Sequence, residues 1–297
     1  MMPENRAFQN FVAQRVVSLQ PSVTVMLRDL ELLDRLVACT KYCVDVCPEV
    51  LKTGCVIVED SWSAKADQIM AAKPELVIAS VPYQLDSVAE ILKSGLPFLG
   101  LAPNTLDDIY KDIMMIARVM GLDSGGESPG TALVAGMERQ IQSMRQRTAG
   151  AERPLVYCEE WGKPLILSQT WVAELVEAAG GRFFGQPGKH TTEEEVAAAD
   201  PDVIVAAWCG AGDRVPLEKI IPKREWEQTK AAKNGRVYCI NDEFLNTPAS
   251  TLMQGLNALA AAIHPEMFGV TKGLRRIQEN TLETRRKGVS EGLGIDK

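Results

Sequence analysis

The sequence predicts an α/β protein built as two Rossmann-like lobes with parallel sheets, joined by one long α-helix. Three observations carry that prediction. Short apolar runs alternate with helical runs along most of the chain, which is the pattern of βα units. The stretch "DQIMAAKPELVIAS" (Asp67–Ser80) is written again, nearly half the chain later, as "EEVAAADPDVIVAA" (Glu194–Ala207). Each copy reads as acid, helix, Pro, acid and apolar strand, with Pro74 and Pro201 in matching places. Between the copies, Leu133, Met137, Ile141 and Met144 fall at helical spacing with polar residues on the other faces. The expected divisions are residues 1–123, an N-terminal lobe; 124–150, a connecting loop and helix; and 151–297, a C-terminal lobe.

In chain order, "RVVSL" (Arg15–Leu19) is a short β-branched strand, and Ser22 is placed to cap the helix "VTVMLRDLELLD". The strand "RLVACT", a loop rich in Cys and Pro, and the strand "CVIVE" follow. The first copy of the repeated unit comes next, then the helix "DSVAEILKSG", the strand "PFLGLA" and the helix "TLDDIYKDIMMIARVMG". Past the "SGGESPG" loop and the connecting helix, "PLVYC" (Pro154–Cys158) opens the second lobe as a strand. "WVAELVEAAGG" is a helix with a glycine stop. After the second copy of the unit, "REWEQTKAA" reads as a short helix, "RVYCI" as a strand behind the Asn234–Gly235 turn, and "ASTLMQGLNALAAAI" as the closing helix. The polar stretch from Thr271 reads as a peripheral helix with a frayed end.

Composition narrows the function classes. The 297 residues are 46% hydrophobic and 24% charged, ordinary values for a globular protein. A formal charge of −7 argues against a nucleic-acid partner. No apolar run is long enough to span a bilayer, so the chain is not expected to be membrane-embedded. The N-terminus lacks the apolar centre of a signal peptide, and seven scattered cysteines fit a reducing compartment. A cytoplasmic protein is therefore expected, or a periplasmic or cell-surface one if a leader was removed.

Parallel sheets bind ligands beyond the carboxyl ends of their strands. Two lobes of this kind would offer those edges to a ligand held in a cleft. Aromatic residues gather at the predicted strand ends: Tyr42, Trp62 and Tyr83 in the first lobe, Trp161, Trp208 and Phe244 in the second. A single one of these could simply seal a sheet edge, but six fit a flat, largely apolar ligand. Glu159 and Glu160 sit beside Trp161. Two adjacent carboxylates suit a ligand edged with amide or amine donors better than an anionic one. The alternative is that one of them pairs with a basic residue and holds its loop.

The chain resembles the binding proteins of vitamin B12 and ferric-siderophore ABC importers, the class with a rigid backbone helix. The resemblance runs from about Arg15 to Glu266. It rests on "RVVSLQPSVTVML", "KYC" at Lys41–Cys43, both copies of the repeated unit, "AELVEAAGG", and "NGRVYCINDEFLNTPASTLMQGLNALAAAIHPE". The cobalamin-binding branch is the nearest. This resemblance implies ligand contacts at Tyr42, Trp62 and Trp161, whereas "GQPGKH" (Gly185–His190) lacks a tryptophan expected there. It also implies that Asp67 and Glu194 dock onto arginines of an ABC permease. An acid in a first helical turn has a plainer role, however, and Thr192 with Glu195 already spells a capping box. The resemblance implies a corrinoid or other metal chelate as ligand and no intrinsic cofactor. The single helical connector, Thr131 to about Arg147, with no paired hinge strands, predicts a monomer that closes little on binding.

Cys39, Cys43, Cys47 and Cys55 do not match zinc or iron–sulfur spacings. Buried thiols are the default reading. Cys43 and Cys209, at strand ends, and His190, in a glycine-rich loop, are the candidates for ligating a metal carried by the ligand. His264 precedes Pro265 at a helix end and reads as structural. No phosphate-binding loop is present, and Gly288–Gly292 matches a nucleophile elbow in letters alone. The reading is a solute-binding protein and not an enzyme; the alternative is a cytoplasmic chelatase-like factor that handles tetrapyrroles or metals.

Overall fold

A computed structural model describes residues 11–59, 66–80, 85–122 and 127–278. The chain divides into two compact units, Met1–Glu138 and Arg139–Lys297.

The first unit opens with β1 (Val16–Ser18) and α1 (Pro21–Asp29). Helix α1 starts with Pro21, whose fixed φ suits a first turn, and its N-cap is Gln20, which makes no side-chain cap. Ser22 is thus two residues too late to cap, and it is buried inside the helix. There follow β2 (Leu36–Thr40), α2 (Lys41–Val46), β3 (Val56–Val58), α3 (Ala66–Ala71), β4 (Leu76–Ser80), α4 (Leu85–Lys93), β5 (Phe98–Leu101) and α5 (Leu106–Val119). The stretch expected as a Cys- and Pro-rich loop therefore holds a helix, because Thr40 caps it through Cys43 N. Among the described residues the sheet is five-stranded, ordered β3-β2-β1-β4-β5, and every pair is parallel. The order reverses between β1 and β4, the doubly wound pattern. β1 and β4 are buried along their whole length, which is why they read as unbroken apolar runs.

Helix α6 (Pro129–Arg147) crosses the division between the units. Met137, Ile141 and Met144 form its buried stripe, as the spacing predicts.

The second unit runs β6 (Leu155–Gly162), β7 (Leu165–Leu167), α7 (Thr170–Ala178), β8 (Arg182–Phe183), α8 (Glu193–Ala199), β9 (Val203–Ala206), α9 (Leu217–Lys223), α10 (Lys230–Lys233), β10 (Val237–Ile240), α11 (Glu243–Asn246), α12 (Leu252–Ile263) and β11 (Leu274–Arg276). Its sheet follows the order β11-β10-β9-β6-β7, with β8 also paired to β6. The β6, β8, β9 and β10 pairings are parallel, but β7 and β11 run antiparallel. Three sequence expectations change here. β6 continues past Cys158 to Gly162, the helix expected over "REWEQTKAA" begins only at Lys230, and the polar stretch after Thr271, expected as a helix, opens with a strand. Its predicted frayed end falls outside the described residues.

The repeated unit is α3–β4 and α8–β9. In both copies the residue before the proline is left-handed: Lys73 and Asp200 each have φ of +49°. α8 stops directly on that residue and α3 one residue short of it, and the proline cannot continue either helix. The same turn chemistry thus delivers a buried strand into each sheet.

Candidate functional site

In the first unit, β2 passes directly into α2, so Tyr42 and Cys43 are neighbours in a first helical turn. They point in opposite senses. Tyr42 is 41% exposed and Lys41 Nζ lies 4.9 Å from its ring centre. Cys43 is fully buried, with its Sγ 3.2 Å from Thr40 Oγ1. Trp62 and Tyr83 lie outside the described residues.

In the second unit the carboxyl end of β6 is the most heavily furnished part. Glu159 pairs with Leu167 of β7, and Trp161 pairs with Ile166, so one extra residue, Glu160, is fitted into β6 as a bulge. Ordinary strand alternation would send Glu159 and Trp161 to the same face. The bulge breaks that alternation: Glu159 is fully buried, while Trp161 is 45% exposed. The indole Nε1 of Trp161 donates to Lys163 O at 2.9 Å.

Glu159 is surrounded by donors. Its carboxylate accepts from Tyr157 Oη at 2.5 Å, from Trp208 Nε1 at 2.8 Å and from Arg224 Nη1 at 3.0 Å to both oxygens. Of the two readings of this glutamate, the geometry matches the one in which it pairs with a basic residue. Arg224, just past α9, also donates to Gly162 O at 3.1 Å and lies 3.7 Å from Glu193 Oε1 at the start of α8. Its guanidinium is 4.8 Å from the Trp226 ring centre and 5.9 Å from that of Trp208. Burying the charged carboxylate and guanidinium is tolerable because both carboxylate oxygens accept two hydrogen bonds each and the guanidinium lies between two carboxylates and a carbonyl. The sequence gives no local sign of this pairing, since 65 positions separate the partners.

Trp208 follows β9 and is held on three sides. Glu159 anchors its nitrogen, Arg224 lies against its ring, and Gly162 leaves room for the ring itself. A Cβ at Gly162 would fall 2.2 Å from Trp208 Cζ2. The Glu159–Trp208 bond therefore spans β6 and β9, the strands between which the second sheet reverses its order.

Glu160 differs from its neighbour. Gln169 Nε2 donates to it at 2.5 Å, yet burial pushes its carboxyl up to about 7. Cys209 is exposed, accepts from Asn246 Nδ2 at 3.3 Å, and its backbone N–H donates to Glu160 O. Asp242 fixes the same loop by accepting from the N–H groups of Gly210 and Gly212. Phe244, expected at the ligand, is 2% exposed in α11 and belongs to the core. His190 is exposed and its backbone bridges to Ile166 of β7. His264 is buried, with Nδ1 3.5 Å from Glu266. Among the described residues no group of three or more His, Cys, Asp or Glu is arranged to hold a metal ion, and no helix is long and apolar enough to cross a membrane.

The two acidic residues expected to dock both open helices and both are exposed, Asp67 in α3 and Glu194 in α8. Thr192 and Glu195 form the capping box that their spacing predicts. Hydrogen bonds from its own backbone N–H and from Thr192 hold the Glu194 carboxyl below the usual range.

Residues 16–244 match the family described as periplasmic binding protein. The chain is 25% identical over 268 residues to an uncharacterised ABC transporter substrate-binding lipoprotein of Bacillus subtilis, covering 86% of this chain and 81% of the relative. It is 26% identical over 254 residues to a vitamin B12-binding protein of Vibrio cholerae, covering 80% and 84%. A solved periplasmic haem-binding protein from Pseudomonas aeruginosa superposes with a TM-score of 0.78 at 18% identity, over 90% of this chain and 99% of that one. At that identity the likeness is one of fold.

Proposed function

Because the chain belongs to the periplasmic binding protein family, we propose that it is the solute-binding component of an ABC importer and that its cargo is a corrinoid or a related metal chelate. The relatives that bind vitamin B12 and haem support a planar tetrapyrrole-type ligand. They are carriers, so the metal arrives with the ligand and the protein needs no resident cofactor. They also favour a binding protein over the chelatase-like alternative. The relatives described as periplasmic or as lipoproteins favour work outside the cytoplasm, against the cytoplasmic expectation.

The observation that carries the ligand reading is the half-exposed Trp161 ring at the carboxyl end of β6, together with Trp208, fixed by buried partners just past the neighbouring strand β9. Rigid aromatic faces bind flat ligands with little entropic cost. Tyr42, exposed just past the carboxyl end of β2, is the first unit's own candidate ligand contact. With Glu159 answered by Arg224, Glu160 is the carboxylate left for the ligand's edge. Ionised, it accepts from amide donors and repels a ferric catecholate.

The test is a titration of the purified protein with cobinamide, cobalamin, haem and an anionic ferric siderophore, read by tryptophan fluorescence and calorimetry. Corrinoids should bind and quench. Trp161→Ala should remove much of the quench and weaken binding by about 1–3 kcal/mol, the scale of one large contact. Tight binding of the siderophore, unaffected by Glu160→Gln, would overturn the assignment.

A further inference from the structure

Four of the seven cysteines fall between Cys39 and Cys55, and the fold separates them by environment. Cys39, Cys43 and Cys47 are buried, and Cys55 is half-exposed. Cys39 lies on β2, and Cys55 stands immediately before β3, the strand that pairs with β2. Sixteen positions apart in sequence, their Sγ atoms are 3.6 Å apart. A disulfide needs about 2.05 Å, a gap that side-chain rotation and a small shift can close. Cys43 is a second sulfur neighbour of Cys39. Hydrogen bonding from Cys39 pulls the Cys55 thiol down to about 7, although burial opposes it. The accessible member of the pair is therefore also the one that readily forms a thiolate.

We propose that Cys39 and Cys55 form a reversible disulfide, entered through Cys55. The oxidant is a low-molecular-weight disulfide such as oxidised glutathione. The Cys55 thiolate attacks one of its sulfurs, the S–S bond breaks, and one glutathione thiolate leaves and takes a proton. Cys39 then attacks the Cys55 sulfur of the mixed disulfide and gives its proton to Cys43 or solvent. The second glutathione leaves as the thiol. Two protein thiols are oxidised to one disulfide, and one oxidised glutathione is reduced to two molecules of the thiol. The new bond would close a covalent ring around α2, the helix that carries Tyr42. The inference stands on the sulfur geometry and does not depend on which ligand is bound.

The full chain, freshly reduced and then incubated with oxidised glutathione, supplies the test. After acid quenching and unfolding, the thiol count should fall by two from seven, and peptide mapping should return a Cys39–Cys55 link. Cys39→Ser should stop at the mixed disulfide and retain one glutathionyl group on Cys55. Cys55→Ser should keep its remaining thiols, and Cys43→Ser should still form the link. The proposal fails if the wild type keeps all its thiols, if the link joins Cys39 to Cys43, or if Cys55→Ser loses thiols as the wild type does. Circular dichroism of each variant before oxidation shows whether the reaction takes place in the folded chain, and the Cys43→Ser link keeps the proposal falsifiable if another variant does not fold.

Discussion

Arg224 and Glu159 meet at 3.0 Å in the interior of the second unit, with 4% and 0% of their side chains exposed. The pair is the keystone of an arrangement that also fixes Trp208, Tyr157 and the Gly162 carbonyl. Removing one member leaves the other charge buried without its counter-ion. Arg224→Met should therefore cost about 3–5 kcal/mol in urea unfolding, and Glu159→Gln in the same background should recover a substantial part of it. A double variant as unstable as the sum of the single losses would show that the two side chains act independently.

Glu160 should make stability pH-dependent. Burial raises its folded-state carboxyl to about 7 from an ordinary value of 4.5. The folded state thus favours the protonated form, and stability falls as pH rises through that window. Glu160→Gln keeps a carbonyl for the Gln169 amide and cannot ionise. Relative to wild type it should be near neutral at pH 4 and more stable at pH 8, by on the order of 2 kcal/mol. A melting-temperature difference that does not change between those pH values would contradict this.

Gly255 on α12 lies against the chain at Phe244. A methyl group there would come within 2.2 Å of the Phe244 carbonyl oxygen, a backbone atom that cannot rotate away. Gly255→Ala is expected to cost about 2–3 kcal/mol despite alanine's better helix propensity. Gly269→Ala, which meets open space, is the matched control and should change stability by less than about 0.5 kcal/mol. Thermal unfolding of both variants decides the matter.

The exposed acids at the starts of α3 and α8 lend themselves to a transport measurement. Asp67→Ala and Glu194→Ala should leave ligand affinity unchanged. If they dock onto permease arginines, ligand-stimulated ATPase activity of the reconstituted transporter should drop, and more at low ionic strength than at high. Unaltered stimulation in the double variant would leave both residues with a role in helix starts alone.

Much of this architecture is legible in the residues, for physical reasons that can be named. The repeated unit is local: a helix, a left-handed stop at Lys73 or Asp200, a proline and a buried strand all fall within one short window. The α6 stripe is equally local. What escapes the sequence is whatever depends on a distant partner. β7 and β11 are only three residues long, and their antiparallel pairing is set by β6 and β10. Phe244 looks like its loop neighbours in composition, yet α12 packs over it. Arg224 sits in a stretch that reads as an ordinary surface helix, and only the fold brings it to Glu159.

The bulge at Glu160 makes the outward display of Trp161 a question of counting. Side-chain direction along a strand has a period of two, so residues two places apart should share a face. Glu159 and Trp161 do not, because Glu160 takes no partner of its own on β7 and drops out of the count. Replacing the residue at 160 leaves that count unchanged, and deleting it would make Glu159 and Trp161 consecutive, still on opposite sides. Inserting one further regular residue would bring the indole round to the side that Glu159 occupies, against Arg224 and Tyr157. The aromatic face is in that sense encoded by chain length as much as by residue type.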